Sequence, residues 1–288
     1  MSRVKCIALD LDGTTLNSSG ELSIRTEAAL LKAASQGIEI IVASGRSLAS
    51  LPVCIRRIPG IRYAVTSNGA AVYDLVSGEL LRAYRMTAES VEAVLAVTER
   101  ALVNGKRTSG ESMPLAYETF IEGVPYAQDS YVADPVKYGA AERAISYIQR
   151  TRRPVEDIRA FIRKHKERLD CIDVVIPEGE EKQRLWKVLE KEVEDIYITS
   201  SVPQLLEIAY KEAGKAPAVQ FLLERLGISR CELAAFGDGD NDCALLEYAG
   251  LGIAVENACK SCLAAADRVT ASNDKDGVAI EIEKFLEG

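Results

Sequence analysis

The sequence predicts an α/β protein built on a parallel sheet, with an α+β domain inserted in its middle. Three observations predict it. About the first 80 and the last 75 residues alternate apolar, β-branched runs with helical stretches, the pattern of βαβ units. Between about residues 84 and 209 that alternation breaks, and prolines fall at positions 114, 125, 135, 154, 177 and 203. Polar residues gather just after the strand-like runs, where open parallel sheets bind ligands.

Taken in order, Lys5–Asp10 reads as a strand. "LSIRTEAALLKAASQG" reads as a helix, with Ser23 as N-cap and Gly37 as its stop. Residues 38–44, "IEIIVAS", form an uninterrupted β-branched run, as expected of a strand covered on both faces. "SLASLPVCIRRI" is a poorer helix, and "YAVTSNG" at 63–69 ends a third strand. A βαβαβ start implies right-handed crossovers. The middle supplies strands in "CIDVVIP", "DIYITSS" and "QLLEIA", and helices in "AESVEAVLAVTERALVNG" and "EKQRLWKVLEKEV". Beyond it, "APAVQFLLERLG" is a helix with Pro217 in its first turn and Gly227 at its end. "CELAAFGD" and "LGIAV" are strands, "NDCALLEYAG" and "ENACKSCLAAADRV" read as helices, and "EIEKFLEG" closes the chain as a helix.

Bulk composition narrows the function. The chain has 288 residues, 48% hydrophobic and 27% charged, which reads as soluble and globular with a substantial core. Its net charge of −8 argues against nucleic acid as the main partner, because phosphate backbones are bound by basic faces. No apolar run approaches membrane-span length, and "MSRVKCIALD" has no signal-peptide pattern, so the simplest placement is the cytoplasm. Seven scattered cysteines fit reduced thiols. The pair Cys259 and Cys262 could be redox-active or half a zinc site, but no second pair completes it. The single histidine, His165, lies in the charged stretch "FIRKHKERLD", where a solvated helix face is expected. A Ser-His-Asp triad or a His-rich metal site would have to be built on that one residue.

The chemistry gathers at strand ends. "IALDLDGTTLN", residues 7–17, runs an apolar strand into Asp10 and Asp12, two apart, so that on an extended backbone both carboxylates project the same way. Two like charges aimed at one spot call for a cation between them. The second strand delivers Ser44, Gly45 and Arg46, the third Ser67, Asn68 and Gly69, and the late strand "GDGDND", including Asp238, Asn241 and Asp242. Carboxylates suit a hard cation such as Mg²⁺, and hydroxyls with adjacent N–H groups suit phosphate oxygens. Lys215 stands just before a helix start, where the dipole disfavours a cation unless an anion lies beside it. Each feature alone has a plainer reading as a turn, a cap or a surface lysine. Their joint placement points to a site.

These motifs resemble those of haloacid dehalogenase superfamily hydrolases, and within them the Cof-type phosphatases. "DLDGTTLN" resembles motif I, "ASGRS" motif II, "AGKAPA" the motif III lysine, and "FGDGDNDCALLEYAG" motif IV. The resemblance covers residues 3–82 and 205–285, with the middle similar in length and position. Thr15 stands where leucine is commoner, and Ala216-Pro217 follows the lysine where glycine is usual, with Lys211 a nearby second candidate for that role. The resemblance implies a Rossmann-like, doubly wound core of residues 1–83 and 210–288, with an inserted α/β cap of residues 84–209 that closes over the site and selects substrate. It implies Asp10 as nucleophile and Asp12 as general acid and base. It implies Mg²⁺ held by Asp10, the backbone carbonyl of Asp12, and Asp238. Ser44, Gly45, Lys215 and Asn241 would bind the phosphoryl group, and Asp242 would orient Lys215 or a water on the metal.

The implied activity is Mg²⁺-dependent hydrolysis of small phosphate monoesters (sugar phosphates, nucleotides or a cofactor phosphate) through an aspartyl-phosphate. The partner would be a small phosphorylated metabolite, with no nucleic acid or membrane, acting on a monomer or weak homodimer. A phosphomutase of the same superfamily and a non-catalytic phosphometabolite sensor are the alternatives. A nucleotide-binding module lacks support, since neither G-x-G-x-x-G after a strand nor a Walker A motif is present.

Overall fold

A computed structural model of the protein describes residues 4–104 and 114–287. They form two compact units, one of residues up to 83 together with those from 214 onward, the other of residues 84–213. The second unit is therefore an insertion in the first, and the chain leaves it at Ala213 rather than at 209.

The first unit begins with β1 (Cys6–Leu9), α1 (Ile24–Ser35), β2 (Glu39–Ala43), α2 (Val53–Arg56), β3 (Ile61–Thr66), β4 (Ala71–Asp74) and β5 (Leu80–Ala83). Ser23 caps α1 by accepting from the Thr26 N–H, and Gly37 follows its end at φ +80°. The poorer helix expected over 47–58 is a single tight turn followed by four-residue α2, because Pro52 interrupts it.

The inserted unit contains α3 (Ala88–Asn104), β6 (Ala116–Ile121), β7 (Val124–Gln128), α4 (Asp129–Ala133), α5 (Ile145–Thr151), β8 (Arg153–Val155), α6 (Ile158–Lys164), β9 (Leu169–Val175), α7 (Glu180–Glu192), β10 (Ile196–Thr199) and β11 (Leu205–Tyr210). Gly105, the expected end of α3, lies outside the described residues. His165 caps the C-terminus of α6 and stacks near Phe161, rather than standing on a helix face. The six strands run β10-β11-β9-β6-β7-β8, antiparallel except for β7 with β8. One sheet face packs on α3, α6 and α7, and the other on α4 and α5.

The chain then returns to the first unit with α8 (Lys215–Leu226), β12 (Leu233–Gly237), α9 (Cys243–Tyr248), β13 (Leu251–Val255), α10 (Lys260–Ala265), β14 (Arg268–Thr270) and α11 (Gly277–Glu287). The long helix expected over 256–269 is only α10. Asp267 exchanges two hydrogen bonds with Gly252, its N–H donating to the Gly252 carbonyl and its carboxylate accepting from the Gly252 N–H, which draws the chain onto the sheet edge as β14.

The first unit's sheet has the order β14-β13-β12-β1-β2-β3-β4-β5. Its strands are parallel from β14 to β3, and β4 and β5 add an antiparallel edge that the sequence reading did not anticipate. Ile7, Leu9, Ile40 and Val42 pack on α1 and α11, while Cys6, Ala8, Ile41 and Ala43 pack on α8 and α9. Helices thus cover both faces, which explains why β1 and β2 are apolar throughout. No helix among the described residues is long and apolar enough to cross a membrane.

Candidate active site

β1 lies at the centre of the first unit's sheet. The chain runs from β1 through β2 to β3 on one side and from β12 through β13 to β14 on the other. The order reverses beside β1, and at such a switch point the loops diverge and leave a crevice at the strands' carboxyl ends. Asp10 follows β1 directly, and Asp238 follows β12. Ser44 and Ser67 follow β2 and β3. Four adjacent parallel strands therefore deliver these residues to one end of the sheet.

The tightest group there is Asp10, Lys215 and Asp242, all buried. Lys215 Nζ donates to Asp10 Oδ1 and to Asp242 Oδ1, each at 2.6 Å. Lys215 is the first residue of α8, and the two carboxylates offset its unfavourable place at the positive end of the helix dipole. The alternative lysine, Lys211, is exposed and pairs with Asp195. Asp242 is fully engaged: its Oδ2 accepts from the N–H groups of Asp238 and Gly239, at 3.1 and 3.0 Å. Asp238 Oδ1 accepts from Thr14 Oγ1 at 2.6 Å. Thr15, the departure from the commoner leucine, donates its hydroxyl to the backbone carbonyl of Asp10 at 2.5 Å.

Carboxylate oxygens of Asp10, Asp238 and Asp242 lie within 4.8 Å of one another. With all three carboxyls ionised, as a bound cation would require, the one ammonium leaves two negative charges in excess. Burial works against charge on Lys215, but Asp10 and Asp242 outweigh it and hold the amine protonated. Burial drives the Asp10 carboxyl well above the usual carboxylate range; Lys215 pulls it back, while Asp242 and Asp238 push it further up. Asp238 is pushed up to about 6, first by burial, with the Thr14 hydrogen bond opposing and Asp242 adding. The donor set is hard oxygen and its surplus charge is negative, so it fits a hard divalent cation. Cys259 and Cys262 are outside this group. Cys262 is buried in the core and Cys259 contacts Ser261, so neither joins a convergent metal site among the described residues.

The remaining expected residues sit around this group. Asp12 does not project beside Asp10 from an extended strand. β1 ends at Leu9, and the turn that follows is closed by the Leu11 carbonyl, which accepts from the N–H groups of Thr15 and Leu16. Leu11 turns into the core, and the Asp12 side chain is 53% exposed. Arg46 grips that carboxylate with two bonds, Nε to Oδ2 at 2.7 Å and Nη2 to Oδ1 at 2.6 Å. Gly13 (φ +83°) allows the turn to approach motif IV, because a Cβ there would lie 2.4 Å from Asp238 Oδ2. Ser44 is buried; its Oγ accepts from the Arg46 N–H across Gly45, and its carbonyl accepts from the Asn68 N–H. Asn241 is buried and donates from Nδ2 to Asn68 Oδ1 at 2.9 Å.

Sequence reasoning gave no role to Arg46, Asn68 or Thr14. All three lie inside quoted motifs, so their positions were visible. Their partners were not: Arg46 meets Asp12 from 34 residues away, Asn68 meets Asn241 from 173, and Thr14 meets Asp238 from 224.

The chain is similar to known hydrolases and phosphatases. The family model described as haloacid dehalogenase-like hydrolase matches residues 7–282. The phosphatase YwpJ of Bacillus subtilis is 29% identical over 98% of this chain and 100% of its own length. The 5-amino-6-(5-phospho-D-ribitylamino)uracil phosphatase YwtE of the same organism is 26% identical, covering 99% of each chain. A crystal structure of a haloacid dehalogenase-like hydrolase from Bacteroides thetaiotaomicron superposes with a TM-score of 0.76 at 27% identity, covering 98% of this chain and 99% of that one.

Proposed function

The chain belongs to the haloacid dehalogenase-like hydrolase family and is a phosphatase of it, and we propose that it hydrolyses small phosphate monoesters through an aspartyl-phosphate on Asp10, with Mg²⁺ as cofactor. The observation that carries this reading is the Asp10–Lys215–Asp242 bridge beside Asp238 at the sheet's switch point. A buried carboxylate beside a fixed cation and further carboxylates supports the reading.

In this reading an Asp10 carboxylate oxygen attacks phosphorus, and the bond to the ester oxygen breaks. Asp12 gives its proton to the departing oxygen, then takes one from the water that attacks the aspartyl-phosphate. That second attack releases inorganic phosphate and restores Asp10. Arg46 fixes the direction in which the Asp12 carboxyl faces. Lys215, Ser44, the Gly45 backbone and Asn241 bind the phosphoryl oxygens, and Asp242 keeps Lys215 aimed at Asp10. Mg²⁺, held by Asp10, the Asp12 carbonyl and Asp238, would shield the incoming phosphate from the nucleophile's charge and stabilise charge in the transition state.

The residues of the first unit account for phosphoryl and metal chemistry but do not read the leaving group. We assign that selection to the inserted unit, acting as a cap. Small metabolites such as sugar phosphates, nucleotides or a cofactor phosphate fit the reading. The relative YwtE is named for one compound of this size.

The test is phosphate release from a panel of such esters, with Mg²⁺ and with EDTA, for wild type and Asp10→Asn. Turnover that needs metal and falls at least about 10³-fold in the variant is expected. A wild type that binds Mg²⁺ and a phosphate analogue yet turns over nothing would point to a sensor. Transfer of phosphate to a second sugar phosphate rather than to water would point to a mutase.

A further inference from the structure

The turn after β3 is strained and buried. Ser67 and Asn68 both have φ of +52°, a left-handed conformation that non-glycine residues adopt rarely and in pairs more rarely still. Such strain persists only where surrounding contacts over-determine it, and it concentrates at functional sites. Here the contacts come from two of the proposed phosphate-binding segments. The Ser67 N–H donates to the Arg46 carbonyl at 2.9 Å, and the Asn68 N–H donates to the Ser44 carbonyl at 3.2 Å. Gly69 packs so closely on the start of α8 that a Cβ would lie 2.1 Å from the Gly214 carbonyl oxygen, one residue before Lys215.

Asn68 also makes a long-range side-chain bond, accepting through Oδ1 from Asn241 Nδ2. An asparagine amide has two unlike ends, a carbonyl oxygen that accepts and an NH₂ that donates twice. Only the NH₂ end attracts a phosphoryl oxygen; the other end repels it. We infer that Asn68 is a positioning residue that selects the donating end of Asn241. Its acceptor takes one Nδ2 hydrogen, which fixes the amide's rotation and leaves the second hydrogen for the phosphoryl group. Replacing Asn68 lets the Asn241 amide turn over and present its oxygen to the anion. The strained backbone follows from this role, because the left-handed turn is what brings Asn68 Oδ1 to Asn241 while the residue's own N–H still reaches the Ser44 carbonyl.

The inference rests on the phosphatase reading, and its test separates the two. Asn68→Gly removes the acceptor and keeps the turn, since glycine adopts the left-handed conformation freely. It is compared with Asn241→Ala and with the double variant. Two quantities are measured with Mg²⁺ present: kcat/KM on p-nitrophenyl phosphate, and affinity for inorganic phosphate by calorimetry. Melting temperatures check that each variant is folded. Loss of one buried hydrogen bond predicts a fall of about tenfold in kcat/KM for Asn68→Gly and a similar loss of phosphate affinity. The double variant is expected to be no worse than Asn241→Ala alone, because Asn68 acts only through Asn241. An unchanged Asn68→Gly, or single effects that multiply in the double variant, would overturn the inference. If wild type fails to hydrolyse esters, the phosphatase reading falls, and phosphate affinity alone decides the role of Asn68. If wild type neither hydrolyses esters nor binds phosphate, both fall.

Discussion

At the scale of single residues, Arg46 and Gly13 carry the least expected consequences. Arg46 grips both oxygens of Asp12, so it controls where the group proposed to transfer the proton faces. Arg46→Ala should lower turnover about 10–100-fold, part of the 10²–10⁴ that general acid–base catalysis supplies. The loss should be larger for an alkyl phosphate, whose leaving oxygen needs a proton, than for p-nitrophenyl phosphate, whose leaving group does not. Equal losses on both would remove Arg46 from proton transfer. Gly13 lets the motif I turn sit against Asp238, and an added methyl would collide with that carboxylate. Gly13→Ala should therefore weaken Mg²⁺ activation by about 10–100-fold, the range seen when a ligand's support is disturbed. A metal titration of activity checks this, and an unshifted half-activation concentration refutes it. The residues proposed to react were legible because their chemistry is unusual for a strand end. Their supporting partners were not, because a hydrogen bond across 173 residues leaves no local trace.

At the scale of elements, local pattern and tertiary pairing compete. α1 and α8 follow their end signals closely, and α7 follows its periodicity. β14 does not, since pairing with β13 overrides a helical composition. The pairing of Asp10 with Asp12 on an extended strand also failed, because β1 stops one residue before Asp10. In the inserted unit, register creates a feature no strand shows alone. Glu118 on β6 and Glu207 on β11 both pair with Asp173 on β9, forming a buried acidic row across the sheet. Arg152 engages Glu118 with both Nε and Nη2, but Asp173 Oδ1 has no hydrogen-bond partner. Burial first, then Glu207 and Glu118, raise the Asp173 carboxyl well above the usual range. A carboxyl raised in the folded state stabilises fully below its unfolded pKa, and that contribution is lost as pH rises through the folded value. Unfolding followed from about pH 4 upward should thus show Asp173→Asn gaining on wild type as pH rises above the ordinary carboxylate range. Parallel pH profiles for the two proteins would sink this account.

At the scale of the whole molecule, the aspartate group makes the proposed metal binding a matter of stability as well as of activity. A ligand that binds only the folded chain stabilises it by RT ln(1 + [L]/Kd), about 2.7 kcal/mol at a hundredfold excess over Kd. Mg²⁺ should therefore raise the melting temperature of wild type, and Asp238→Asn should abolish most of that rise. A rise of equal size in the variant would place the stabilising ion elsewhere. The sequence by itself determined the α/β class and the inserted unit, and it put the proposed reactive residues at strand ends. Strand runs, caps and carboxylates at strand ends are written in short windows, and so is the order of the four motifs. Only the tertiary structure decided that Lys215 rather than Lys211 reaches Asp10, that Arg46 holds Asp12, and that Asn68 meets Asn241. Those choices depend on which strands lie side by side and how sharply each turn leaves its strand. Sheet order and turn geometry arise from packing between residues far apart in the chain, and no window of sequence contains both partners.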